Sequence, residues 1–156
     1  MFTVYTASAG SGKTSRLVVE YLSLALPVPK KFKHILAITF TNNATAEMKN
    51  RILDALRSFA FQPYDQFPES LKATYSAIQA NLDSPELEIP FDLYIKKQSG
   101  LLLQEILYDF DNFAISTIDA FFQRILRAFS FELGLNMNYN LEIQLDDLYE
   151  QTIDLL

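Results

Sequence analysis

The 156-residue chain is predicted to adopt an α/β fold, a partial parallel sheet flanked by helices and broken by a helical insertion. Three observations carry that expectation. Short runs of strand character alternate with stretches of helical period, a glycine-rich turn joins the first run to the first helix, and prolines punctuate a helical texture between residues 61 and 112. Alternation of strand and helix favours parallel strands joined by right-handed crossovers.

Residues 3–6 read as a short strand, and residues 14–26 as a helix in which Leu17, Val18, Tyr21, Leu22 and Ala25 recur on one side. Pro27, Pro29, Lys30 and Lys31 break that pattern, after which 34–40 reads as a buried strand. The next helix carries an apolar stripe of Ala44, Met48, Ile52, Leu56 and Phe59 opposite Glu47, Asn50, Asp54 and Arg57. Pro63, Pro68, Pro85 and Pro90 then bracket helical patterns at 71–82 and 91–110. A third strand is expected at 113–118. It leads into a helix at 120–133 with Phe122, Ile125, Leu126, Phe129 and Leu133 turned inward and Gly134 as its stop. Residues 146–156 resemble the beginning of another helix. The expected divisions are 1–60, a β-α-β-α half-domain; 61–112, the insertion; 113–140, a third strand and helix; and 141–156, the start of a helical subdomain.

A chain of this size with 49% hydrophobic residues can bury one ordinary core. It contains no apolar run of the roughly 18 residues that would cross a bilayer, and no basic start typical of a secretory signal, so the expectation is a cytoplasmic protein without membrane contact. The absence of cysteine and the single His34 exclude thiolate and histidine metal sites; any metal should be a hard, oxygen-ligated ion such as Mg2+. The net charge of -6 counts against a dedicated nucleic-acid surface, although much of the acid lies between Asp65 and Asp111 and in the tail.

The string Ala7, Ser8, Ala9, Gly10, Ser11, Gly12, Lys13, Thr14 lies between an expected strand and an expected helix. That is the context of a phosphate-binding P-loop. Gly10 and Gly12 allow the backbone angles that aim successive N–H groups at phosphate oxygens, and the helix N-terminus adds its positive end. Lys13 would reach the β and γ phosphates, and the Thr14 hydroxyl would ligate Mg2+. Ala7 replaces the first glycine of the general pattern.

With its neighbours, this loop resembles motif I of the superfamily 1 helicases, in particular the UvrD/Rep group and its RecB/AddA-like branch. Residues 38–52, ITFTNNATAEMKNRI, resemble motif Ia, and residues 116–127, STIDAFFQRILR, resemble the motif Ib region. The resemblance implies a RecA-like P-loop NTPase fold and an ATP-dependent DNA helicase. In it, Lys13 and Thr14 are catalytic, Thr14 is the metal ligand, and Ala9, Gly10, Ser11, Gly12, Lys13, Thr14, Ser15 and Arg16 hold ATP. It also implies that Thr39, Phe40, Thr41 and Asn42, with Thr117, Ile118 and Asp119, line a track for single-stranded DNA. Phe40 would offer a face for a base, and Thr and Asn would bond phosphates without adding charge. This chain departs from the family at Asn43, usually lysine, at Asp119, often histidine, and at Ser15, which precedes Arg16 where an arginine often follows the threonine directly. The strand begins at residue 3, so no upstream glutamine segment reads adenine, and ATP is implied by the resemblance alone.

Read without the family, Phe40 is a core residue closing its strand, and Asn42 or Asn43 caps the following helix. Hydrolysis needs an acid beside the metal, normally at the end of an apolar strand. Asp109, Asp111, Asp146 and Asp147 lack such a strand, whereas Asp119 follows one and would serve as the metal acid in a small P-loop kinase. A non-catalytic interaction module retaining the loop as a relic is the third reading. The leading expectation is the N-terminal portion of a longer helicase, partnered by the remaining helicase domains of its parent chain.

Overall fold

The computed structural model describes residues 12–82 and 89–130. The expected strand at 3–6, most of the glycine loop including Ala9, Gly10 and Ser11, and the expected helix at 146–156 lie outside the described residues. The chain divides into two compact units, Met1–Ile118 and Asp119–Leu156.

In the first unit, α1 (Lys13–Ala25) leads through a 3₁₀ turn (Pro29–His34) into β1 (Ala37–Thr39) and the long helix α2 (Asn42–Phe61). A second 3₁₀ turn (Tyr64–Gln66) precedes α3 (Glu69–Leu82); α4 (Phe91–Tyr108) and a third turn (Phe110–Asn112) then lead to β2 (Ile115–Thr117). The described part is therefore α/β but mostly helical, with β1 and β2 forming a two-stranded parallel sheet.

Burial explains why these elements cohere. Val18, Tyr21, Leu22 and Ala25 of α1 share one core with Met48, Ile52, Leu56 and Phe59 of α2, Ile78 of α3, Leu102 and Ile106 of α4, and Ile115 of β2. Each fully buried Leu or Ile contributes about 1.5–3 kcal/mol relative to exposure. The segment 61–112 thus joins the same apolar interior, with α4 packed along α2 and α3 against α1. Aromatic edges finish that end of the core: Tyr75 meets Phe59 and Phe91 in T-shaped contacts at 5.5 Å. The Tyr75 hydroxyl donates to Asp92, and burial, reinforced by that carboxylate, pushes its pKa up. Tyr21 is also raised, by burial, and among the described residues its hydroxyl has no partner.

Three expectations need correction. Leu17 of α1 is 45% exposed and Val19 is buried in its place, because the helix faces α2 and α3 at once and its apolar arc is wider than one stripe. The strand expected at 34–40 is short and only half covered. Pro29 starts a 3₁₀ turn anchored by the buried Phe32, and along β1 only Ala37 packs on the core, while Leu36 and Ile38 are exposed.

The third correction concerns the second unit, where α5 (Ile118–Ala128) is strongly two-sided yet buries none of its side chains. Phe122 and Phe129, expected inward, are 55% and 49% exposed. Helical period tells which side is apolar; burial requires a second layer upon it, which the described residues of this unit do not supply. Leu133 and Gly134 lie outside the described residues.

Candidate nucleotide and nucleic-acid site

Gly12 caps the N-terminus of α1 at φ 83° and ψ 19°, the left-handed region. Among the described residues a Cβ built there would meet nothing within 4 Å, and the backbone angle itself calls for glycine. Among the described residues no side chain caps this terminus; its first turn holds no acid, Lys13 stands exposed upon it and Thr14 is partly exposed. The first-turn amides and the lysine therefore favour an anion, and the residues present suit the phosphates of a nucleotide. Arg16 pairs with Glu20 at 2.8 Å. Among the described residues no cluster of three His, Cys, Asp or Glu stands ready for a metal.

The strand ends form the second part of the site. In the parallel register Ala37 pairs with Ile115 and Thr39 with Thr117, so two segments 78 positions apart end side by side at the same edge. The carboxyl edge of a parallel sheet is where α/β folds place ligands. Immediately beyond β1, Phe40 is 88% exposed and is not a core residue. Neither Asn42 nor Asn43 caps α2: Thr41 does, its Oγ1 accepting from the Ala44 amide at 3.1 Å.

The hydroxyls behind that cap are occupied. Thr39 and Thr45 share a 2.6 Å hydrogen bond, and each lies within reach of the Thr41 carbonyl, at 3.1 and 3.2 Å. One proton per hydroxyl means that one donates to the carbonyl and the other to its neighbour, which leaves neither for a ligand. Thr41 differs, since its oxygen accepts and, among the described residues, nothing takes its proton. Asn42 is exposed. Across the edge Thr117 is 8% exposed, Ile118 begins α5 at 36% exposure, and Asp119 follows in its first turn. β2 ends at Thr117, so Asp119 is a helical residue and not the strand-terminal acid of the kinase reading.

A family model for the N-terminal domain of UvrD/REP helicases matches residues 3–155. The chain belongs to that family. It is similar to much longer proteins. Over 152 residues it is 28% identical to an ATP-dependent helicase/nuclease subunit of Bacillus cytotoxicus, covering 95% of this chain and 10% of that one. It is 29% identical over 138 residues to RecBCD enzyme subunit RecB of Escherichia coli, covering 83% and 10%. The ATP-dependent helicase/nuclease subunit of Oceanobacillus iheyensis gives 28% over 152 residues, with 95% and 10% covered. The chain thus spans about a tenth of the length of these curated relatives. No solved structure matches it.

Two contacts of this UvrD/REP-type domain went unassigned in the sequence. Arg51 of α2 donates from Nη1 to Ser15 Oγ at 2.8 Å and from Nη2 to Glu47 Oε1 at 2.7 Å. The Glu47–Arg51 half is legible as an (i, i+4) pair; the reach to α1 is not. Beside it a cavity of about 390 Å³ opens between α1, α2 and α3, lined among others by Ser15, Val18, Asp54 and Thr74. Away from the site, Lys33 bonds Asp109, which also accepts from Asn112 at 2.9 Å; these bonds, Lys33 first, hold the Asp109 carboxyl below its ordinary value and raise Lys33. Asp109 is therefore a structural clasp. Among the described residues no helix is long and apolar enough to cross a membrane.

Proposed function

We propose that this chain is the nucleotide-holding N-terminal part of an ATP-dependent DNA helicase that couples ATP hydrolysis to movement along single-stranded DNA. The observation that carries the reading is the register of β1 and β2, which sets Thr39 beside Thr117 and brings the two track-lining segments to one sheet edge. In this reading the finer fold is a RecA-like P-loop domain divided as 1–60, 61–112, 113–140 and 141–156. The backbone from Ala9 to Thr14, with Ser15 and Arg16 behind it, cradles ATP. Lys13 neutralises the β and γ phosphates, and Thr14 holds Mg2+, which would supply charge neutralisation at the phosphoryl oxygens. Phe40 stacks a base and Thr41 and Asn42 bond phosphate oxygens, while Thr39 holds Thr41 in place. Thr117 and Ile118 flank the strand on the other side, and Asp119, next in sequence, is the further residue assigned to the track. The remaining helicase domains supply the acid, the water-orienting group and the arginine finger, in a complex that works in the cytoplasm without a membrane.

Lys13→Ala in the full-length protein tests this. DNA-stimulated ATP turnover should disappear while the circular dichroism spectrum is unchanged. The isolated 156-residue chain should turn over ATP negligibly. Turnover surviving the substitution, or robust hydrolysis by the isolated chain, overturns the reading.

A further inference from the structure

We propose that Arg51 is a positioning residue that couples the DNA-facing end of α2 to the phosphate-facing first turn of α1, acting through Ser15. This rests on the function proposed above and adds to it the means by which one ligand would report on the other.

The guanidinium is held at both ends of its fork. Nη2 is fixed by Glu47 on its own helix at 2.7 Å, and Nη1 crosses to Ser15 Oγ at 2.8 Å. A planar fork locked on one side presents its other donor in a defined direction, which a lysine ammonium would not do. Ser15 lies in the first turn of α1, next to Thr14, so the bond grips the turn whose amides and lysine face the anion. At the other end, α2 is one unbroken helix from Asn42 to Phe61, capped by Thr41 directly after the exposed Phe40. Arg51 lies ten positions beyond Thr41, about 15 Å along the helix. A displacement of the cap by a bound strand is therefore delivered to Ser15 as a movement of the fork.

Folding does not depend on this bond. The side chains of Arg51 and Glu47 are 48% and 49% exposed, and ion pairs so exposed contribute little to stability. Val18 and Leu22 of α1 belong to the same buried core as Ile52, Ala55 and Leu56 of α2, and that core persists without the guanidinium.

The test is a linkage measurement on the full-length protein. The affinity for a nonhydrolysable ATP analogue is measured with and without an oligo-dT strand, and that for oligo-dT with and without the analogue; reciprocity requires one common coupling factor, on the order of 5-fold or more. Arg51→Ala should keep each single-ligand affinity within about twofold and bring the coupling factor to within about twofold of unity, with a melting temperature near that of the parent. Arg51→Lys, which replaces the planar fork by a single rotatable point charge, should retain only part of the factor. In a Ser15→Ala background, Arg51→Ala should change the factor no further, because the pair acts as a unit. A coupling factor unchanged in Arg51→Ala overturns the proposal. So does loss of analogue binding alone in that variant, which would make Arg51 a ligand contact, and so does a parent protein that binds both ligands without mutual effect. A parent that binds neither ligand defeats the function proposed above instead.

Discussion

Replacing Phe40 by alanine separates a binding role from a packing role with one substitution. The ring is 88% exposed beyond the end of β1, so its removal strips almost no buried surface and stability should change by less than about 0.5 kcal/mol. A residue buried like Leu56, by contrast, loses about 2–5 kcal/mol on truncation to alanine. If the ring stacks a base, truncation removes about 1–3 kcal/mol of single-stranded DNA affinity. At about 1.4 kcal/mol per factor of ten, that is a roughly 5- to 140-fold weaker Kd. Fluorescence anisotropy with labelled oligo-dT reads the affinity, and thermal melting reads the fold. Phe40→Tyr and Phe40→Trp keep a stacking face and should retain most of the affinity. A Kd unchanged in Phe40→Ala refutes the stacking argument, and a melting temperature lowered by many degrees refutes the exposure argument.

Other substitutions probe the backbone and the caps. Gly12→Ala places a Cβ at φ 83° and should cost about 1–2 kcal/mol, lowering Tm by about 2–8 °C, while Gly12→Asn should cost less because asparagine tolerates that region better. Thr41→Ala removes the acceptor of the Ala44 amide and should cost about 1 kcal/mol in a denaturant titration, whereas Thr41→Ser should cost a fraction of that. The Lys33–Asp109 clasp gives a pH signature. Asp109 is held below its ordinary value of 3.8, so its stabilisation is complete above that value and fades as the pH falls through the lower folded-state value. The Tm deficit of Asp109→Asn relative to the parent should accordingly be constant near neutrality and shrink below about pH 3.8; a deficit that grows with acid contradicts the assignment.

Long periodic elements were legible in the residues themselves. The Met48, Ile52, Leu56, Phe59 stripe recurs every three or four positions, and α2 buries those side chains because the period is a local geometric property of the chain. The need for glycine at position 12 was legible for the same reason: φ 83° is a requirement on one residue, which its type satisfies or does not. Strand limits were less so. The run at 34–40 looked uniformly apolar, yet only three of its residues form β1, because Phe32 anchors the preceding 3₁₀ turn and coverage of one face leaves Ile38 exposed.

What needed the tertiary structure is whatever depends on residues distant in sequence meeting in space. Composition and period marked α5 as two-sided, but whether Phe122 and Phe129 are covered is decided by other layers, and they stand exposed. That Phe40 points outward, that the Thr39 and Thr45 hydroxyls are taken up by each other and by the Thr41 carbonyl, that Thr39 lies level with Thr117, and that Arg51 reaches across 36 positions to Ser15 all follow from packing. Local propensity acts over about one helical turn and says what each segment is. Burial of a shared core selects which segments become neighbours, and it is that selection which places the strand ends and the first turn of α1 in one unit of the molecule.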